Sequence, residues 1–291
     1  MSIDTIGVVG AGQMGNGIAH ACALAGYPVV LVDVSQEQLD RALQSIGKNL
    51  DRQVSREHID AAAKDAALER ITTSTDNGRL ADAGLVIEAV PEREDLKRKI
   101  YESLAATLKP EALIVSNTSS ISITRLASAT DRPGKFMGMH FFNPVPVMKL
   151  VELIRGMATE EATYEAVAEV TRKLGKTPAM AVDSAGFIVN RILLPMINEA
   201  VFALFEGVAS VEDIDAAMKH GAAHPMGPLQ LADFIGLDTC LSIMQVLHND
   251  LGDPKYRPCP LLLRYVEAGW LGRKSGRGFY DYAGDEPVPT R

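Results

Sequence analysis

The sequence predicts an α/β protein: a Rossmann-like, doubly wound, mostly parallel sheet with an added antiparallel strand pair, followed by an all-α C-terminal domain. Three observations carry this. Short apolar runs alternate with helical periods through the first half of the chain. A glycine-rich turn, Gly10-Ala11-Gly12-Gln13-Met14-Gly15, follows the first of those runs. From Ser184 onward only helical periods remain.

Each element has its own reason. Thr5–Val9 is a β-branched apolar run that stops at Gly10. PVVLVD (28–33), LVIEA (85–89) and ALIVS (112–116) are three more. Strands apolar along their whole length belong to a parallel sheet covered on both faces. Helical periods at 14–25, 37–53 and 93–108 supply the crossovers. Strands at 136–142 and 149–154 are joined by Asn143-Pro144-Val145-Pro146, too short for a crossover helix, so they are expected to run antiparallel. A helix at 160–174 and a last strand at 177–182 complete this part. Helical periods at 186–205, 211–219, 228–234, 237–249 and 261–267 follow. These textures divide the chain into domains 1–183 and 184–291, with an irregular Gly- and Pro-rich tail.

At 291 residues the chain has room for one large domain or two modest ones. Its net charge of −8 argues against a nucleic-acid partner, which needs a basic face. Hydrophobic residues at 47% and charged residues at 23% are globular values and exclude a disordered chain. No apolar run has the length of a membrane span, and the N-terminus has no signal-peptide pattern, so the expected compartment is the cytoplasm. Three scattered cysteines make no disulfide framework.

The G-x-G-x-x-G turn sits between a strand and a helix. There Gly10 makes the tight turn, Gly12 lets a pyrophosphate approach, and Gly15 lets helix and strand pack closely. The phosphates are expected on the free N–H groups of the helix N-terminus. Asp33 ends the second strand, 18 residues after Gly15. A carboxylate there accepts from a ribose 2′-hydroxyl and repels a 2′-phosphate, which favours NAD over NADP. The alternative for Asp33 is a helix N-cap, a role Ser35 can fill instead.

Oxidation of an alcohol by hydride transfer needs a base for the hydroxyl proton, and histidine suits that work near neutral pH. Of six histidines, His140 stands out in Met139-His140-Phe141-Phe142, apolar on both sides. If the two strands fold back symmetrically about Pro146, residue 140 faces Glu152, a single acid in an apolar strand. A buried carboxylate needs a partner, and the fold-back offers His140 at cross-strand distance. The competing reading of His140 is a core histidine with its hydrogen bonds satisfied. Ser116-Asn117-Thr118-Ser119-Ser120 forms a polar knot past the end of a parallel strand, where α/β sheets bind ligands. Lys48, Arg52 and Arg56 recur on one helical face, as a phosphate-binding stripe or as a solvated face. His220 and His224 have zinc-helix spacing, but Gly221 and Pro225 interrupt the helix, and no metal is expected.

Seven stretches spanning nearly the whole chain resemble one family: GVVGAGQMGNGIA, VIEAVPE, SNTSSISIT, GMHFFNPVPVMKLVELI, GFIVNRILLPMINEA, ASVEDIDAAMKHGAAHPMGPLQLADFIGLD and GWLGRKSGRGFYDY. In sequence and in order they are similar to the short, single-function 3-hydroxyacyl-CoA dehydrogenases. The resemblance implies NAD as cofactor, an acyl-CoA substrate with a short acyl chain, and a homodimer formed through the C-terminal domain. It implies that His140 and Glu152 are the catalytic pair and that Ser119 and Asn190 hold the substrate. It further implies NAD contacts at Glu92, Lys97, Ser119, Asn143 and Lys274, beside the Gly10–Gly15 loop with Gln13 and Met14, and Asp33. Family members carry basic residues at the positions of Arg52 and Arg56. Many add a Lys-Gly-Lys run where this chain has Arg56-Glu57-His58. The rival expectations are a dehydrogenase of a small free 3-hydroxy acid, one for longer acyl-CoA chains, and a non-catalytic NAD-binding protein.

Overall fold

The computed structural model describes residues 3–290, and the chain divides into two compact units, residues 1–184 and 185–291. In the first, β1 (Ile6–Val9) leads through the glycine loop into α1 (Gln13–Leu24), and β2 (Val29–Val32) returns parallel to β1. Two helices, α2 (Gln36–Ser55) and α3 (Ala61–Glu69), precede β3 (Ile71–Ser74). The sheet continues with β4 (Leu85–Glu88), α4 (Glu94–Thr107), β5 (Leu113–Ser116), the short α5 (Ile123–Ala127) and β6 (Phe136–Phe141). Then β7 (Leu150–Arg155) reverses against β6. After α6 (Glu161–Lys173), β8 (Thr177–Val182) runs parallel to β7. The strand order is β3-β2-β1-β4-β5-β6-β7-β8, with the first six strands parallel.

Every residue of β1, β4, β5 and β6 is buried, which is why these strands show no alternation. Ser35 caps α2 by accepting from the Gln38 N–H, and Leu39, Ala42, Ile46 and Leu50 form its buried stripe. Asp183 caps α5: its carboxylate accepts from the Ser122 hydroxyl and from the N–H groups of Ile123 and Thr124. The structure adds three elements to this unit that the apolar pattern does not reveal, α3, β3 and the short α5. In β3 only Ile71 is buried, since ITTS lies at the sheet edge and needs no continuous apolar run.

The second unit is helical: α7 (Val189–Phe205), α8 (Val211–Gly221), α9 (Pro228–Ile235), α10 (Leu237–Leu251) and α11 (Pro260–Glu267). Leu194, Ile197, Val201, Leu229, Leu237, Met244 and Leu262 are among its core residues. Its tail is ordered rather than irregular, because β9 (Tyr280–Asp281) and β10 (Val288–Pro289) pair antiparallel. Asp233 anchors this ribbon, accepting from the Phe279 and Tyr280 N–H groups at 2.9 Å each and from the Tyr282 hydroxyl at 3.0 Å. Burial pushes the Asp233 carboxyl up to about 6, against the pull of its backbone donors. No single helix among the described residues is long and apolar enough to cross a membrane.

His20 of α1 is fully buried, with Nε2 3.3 Å from the Gln53 side chain. Burial lowers its pKa to about 4. An unfolded histidine binds its proton near 6.5, so between about 6.5 and 4 the unfolded chain holds more protons and stability falls as the pH drops. His20→Leu is expected to remove about 2 kcal/mol of the stability lost between pH 7 and pH 5. Urea denaturation of both proteins at the two pH values checks it, and equal losses would contradict it.

Candidate active site

The carboxyl ends of the parallel strands carry the site. At β1 the turn is built from glycine because nothing else fits. Gly10 has φ +100°, and a Cβ on Gly15 would lie 1.7 Å from the Gly10 carbonyl oxygen. Gly12 differs: a Cβ there meets nothing within 4 Å, and its φ of −65° suits any residue. Gly12 therefore keeps open the space before α1. The N-terminus of α1 has no side-chain cap and no acid in its first turn, so its free N–H groups and helix dipole suit a phosphate. Asp33 follows β2, half-buried, and accepts from the Ala11 N–H at 2.8 Å and the Ser35 N–H at 3.0 Å. It thus ties the glycine loop to the end of β2, while the capping of α2 falls to Ser35. Gln13 donates to the Asn143 side chain at 3.2 Å, and Met14 is half-buried against the core.

A charged network lies between β4, β5 and α4. Glu88, fully buried, accepts from four donors: Lys97 Nζ at 2.7 Å, the Val90 N–H at 2.8 Å, and the Tyr101 and Ser116 hydroxyls at 2.7 Å each. Burial and the Glu88 charge push the Tyr101 hydroxyl well above its usual range, so it stays a donor. Lys97 is buried as well and reaches Glu92 at 3.5 Å. Glu92 Oε1 in turn accepts from the Thr118 hydroxyl at 2.6 Å and from the Ser119 and Ser120 N–H groups at 2.9 and 3.0 Å. The hydroxyls of Ser119 and Ser120 point at the same oxygen. Burial opposes the charge on Glu92, but Lys97 and these donors outweigh it and hold its pKa below the ordinary value. The loop bearing Ser119 is thus fastened from below through Lys97 and Glu92. Its neighbour Asn117 accepts from the Phe141 N–H at 2.9 Å, extending the β5–β6 contact to the residue beside His140.

The β6–β7 register pairs His140 with Glu152 directly. His140 Nδ1 lies 2.7 Å from Glu152 Oε2; the acid is fully buried and the ring nearly so. A carboxylate only accepts, so Nδ1 carries the hydrogen and Nε2 is the basic nitrogen of the neutral ring. Phe142 packs on the imidazole, ring centroids 4.6 Å apart.

The remaining expected residues fall elsewhere. Lys48, Arg52 and Arg56 are exposed, the first two on α2 and the third at its C-cap. Asn190, half-buried, is in the first turn of α7 in the second unit, where Lys274 is paired with Asp238. The helix α8 ends at Gly221, so His220 and His224 share no helical face. Glu88 and Tyr101 were not expected at the site, whereas Asn117 belongs to the expected polar knot. Glu88 bears the signal that marked Glu152, a lone acid in an apolar strand.

Two family models match. The 3-hydroxyacyl-CoA dehydrogenase NAD-binding domain covers residues 5–184, and the C-terminal domain of the same enzymes covers residues 186–282. The chain belongs to the 3-hydroxyacyl-CoA dehydrogenase family. It is 65% identical to a 3-hydroxybutyryl-CoA dehydrogenase of Bradyrhizobium diazoefficiens over 99% of both chains. It is 52% identical to a probable 3-hydroxybutyryl-CoA dehydrogenase of Bacillus subtilis over 97% of this chain and 98% of that one. The crystal structure of (S)-3-hydroxybutyryl-CoA dehydrogenase from Ralstonia eutropha superposes with a TM-score of 0.96 at 52% identity, covering 97% of this chain and all of that one. The dehydrogenase is therefore an NAD-dependent oxidoreductase, and its first unit carries the NAD-binding architecture. The glycine loop, the uncapped α1 and the carboxylate of Asp33 fit that cofactor.

Because the Gly12 Cβ position is empty, Gly12→Val is expected to leave the melting temperature of the cofactor-free dehydrogenase within a few degrees. The same change is expected to weaken NADH binding by at least about tenfold. Titration calorimetry beside a melting curve separates the two effects, and unchanged affinity would remove the loop from the cofactor site.

Proposed function

We propose that the dehydrogenase interconverts (S)-3-hydroxybutyryl-CoA and acetoacetyl-CoA with NAD(H). The observation that carries the reading is the buried His140–Glu152 pair at 2.7 Å, beside the carboxyl ends of an NAD-binding sheet. NAD supplies the acceptor for the hydride leaving C3 of the hydroxyacyl group. In that direction Nε2 of His140 takes the hydroxyl proton. Glu152 holds Nδ1–H, keeps the ring in the required tautomer and balances the imidazolium charge. In the reverse direction the same nitrogen returns the proton.

Ser119 and Asn190 are assigned to the substrate oxygen and thioester region. Glu92 and Lys97 act on Ser119 through the hydrogen bonds that set its loop. Asn143, held by Gln13, and Lys274 are assigned to NAD, together with Glu92, Lys97 and Ser119. Lys48, Arg52 and Arg56 make no ion pair among the described residues, which leaves their charge available for the phosphates of coenzyme A. Residues 1–183 serve NAD binding, and residues 184–291 serve substrate binding and dimerisation. Exposed Ile192, Phe205, Val208 and Phe234 on the second unit support a homodimer buried through that unit. Three unpaired, buried cysteines agree with a reducing, cytoplasmic setting.

His140→Gln keeps the size and one hydrogen bond of the side chain but cannot take the proton. It is expected to lower kcat by about 10²–10⁴-fold with acetoacetyl-CoA and NADH, and near-normal turnover would sink the assignment. The wild-type dehydrogenase is expected to prefer NADH strongly over NADPH, because Asp33 repels a 2′-phosphate. Reduction of free acetoacetate at the rate of its thioester would instead favour a free-acid substrate.

A further inference from the structure

The strands that carry His140 and Glu152 are joined by residues 142–149, a loop that the ladder itself does not hold. Register pairing ends at Phe141 and Val151. Two prolines, Pro144 and Pro146, remove two N–H donors. Within the loop only the Val147 and Met148 N–H groups bond back, both to the Pro144 carbonyl. Its remaining anchors come from elsewhere. Gln13 holds Asn143, and Val145 packs on Gly17, where a Cβ would come within 2.9 Å. The Thr177 N–H donates to the Lys149 carbonyl at 2.7 Å. The strongest anchor is Lys176, between α6 and β8. Its ammonium donates to the Val145 carbonyl at 2.6 Å and the Met148 carbonyl at 2.8 Å, on the two arms of the loop.

Lys176 is an unusual choice for a structural donor. Its relative exposure is 8%, it forms no ion pair among the described residues, and burial lowers its pKa. A buried ammonium without a carboxylate is costly, and both hydrogen bonds of this one go to a single loop. That loop sets how β7 leaves β6, and with it the His140–Glu152 separation and the place of Asn143. We propose that Lys176 is a positioning residue of the hydride-transfer reaction: it fixes the 142–149 loop so that the His140–Glu152 pair and Asn143 keep their working geometry. This rests on the reading of His140 and Glu152 as the acid–base pair. A neutral tether would close the loop equally well, but a cation draws both carbonyls to one point and leaves the loop little freedom. Displacement of a catalytic group by about 1 Å costs on the order of 10²-fold in rate, so a loosened loop shows first in turnover.

Lys176 also lines a cleft of about 410 Å³ with Pro146, His20 and Gln53, so a methionine side chain has room to be accommodated. Lys176→Met removes both donors, and Lys176→Arg restores them. The test measures kcat, KM for NADH and for acetoacetyl-CoA, the pH profile of kcat, and melting temperature for the whole dehydrogenase. Lys176→Met is expected to lower kcat about tenfold or more and to displace the pH profile, with KM for acetoacetyl-CoA within about twofold. Lys176→Arg is expected to recover most of the rate. If Lys176→Met melts lower yet keeps wild-type kcat and pH profile at a temperature where it is folded, Lys176 is merely structural and the proposal falls. Should Lys176→Met not fold, Lys176→Gln, too short to reach both carbonyls, takes its place with the same expected loss; unchanged kcat and profile would overturn the proposal. Failure here leaves the acid–base pair standing, since that is judged by His140→Gln alone.

Discussion

The reversal of the sheet after β6 is the constraint on which the site depends. In a parallel sheet each strand returns by a crossover, and side chains near the same end of two strands come from distant parts of the chain. A short antiparallel return sets residues 140 and 152 opposite each other on neighbouring strands, both buried, with a 2.7 Å contact between imidazole and carboxylate. The low-dielectric interior strengthens that contact and excludes competing water. The eighth strand then covers the far side of β7, pairing Glu152 with Ala179, so the acid lies on a central strand rather than at an edge.

Charges buried elsewhere in the first unit serve the same end of the sheet. Glu88 collects donors from a helix, a loop and the next strand, which locks the ends of β4 and β5 together. Lys97 passes that order to Glu92, and Glu92 passes it to the Ser119 loop. Asn117 carries it across to Phe141. A fully satisfied polar network of this kind costs desolvation but has few alternative arrangements, so it fixes positions more sharply than apolar packing does. In the second unit two buried aspartates act alike. Asp215 accepts from the Leu229 and Gln230 N–H groups at the start of α9 and from the Tyr280 hydroxyl, and Asp233 holds the tail ribbon.

Much of this was legible in the residues. The buried strands announce themselves because both faces need apolar side chains, and the glycine loop does so because only glycine tolerates its turn and its 1.7 Å approach. Even the 140–152 register follows from a turn centred on Pro146, since side-chain period in a strand leaves one choice per face. What was not legible lacks such a local cause. The strand β3 is an edge of Thr and Ser, and α3 buries only Ala67. The tail ribbon is held by Asp233, whose donors lie 46 and more residues away.

The sequence by itself determined the sheet, the cofactor loop and the opposition of His140 and Glu152, because each arises from local geometry: an apolar run, a glycine that nothing can replace, a short turn. Only the tertiary structure decided which charges support them. Lys176 looks like an ordinary surface lysine in the chain and Lys97 is marked only by the family resemblance, yet each is buried against acceptors on other elements. A lysine's environment is set by what folds over it, and no spacing along the chain encodes that.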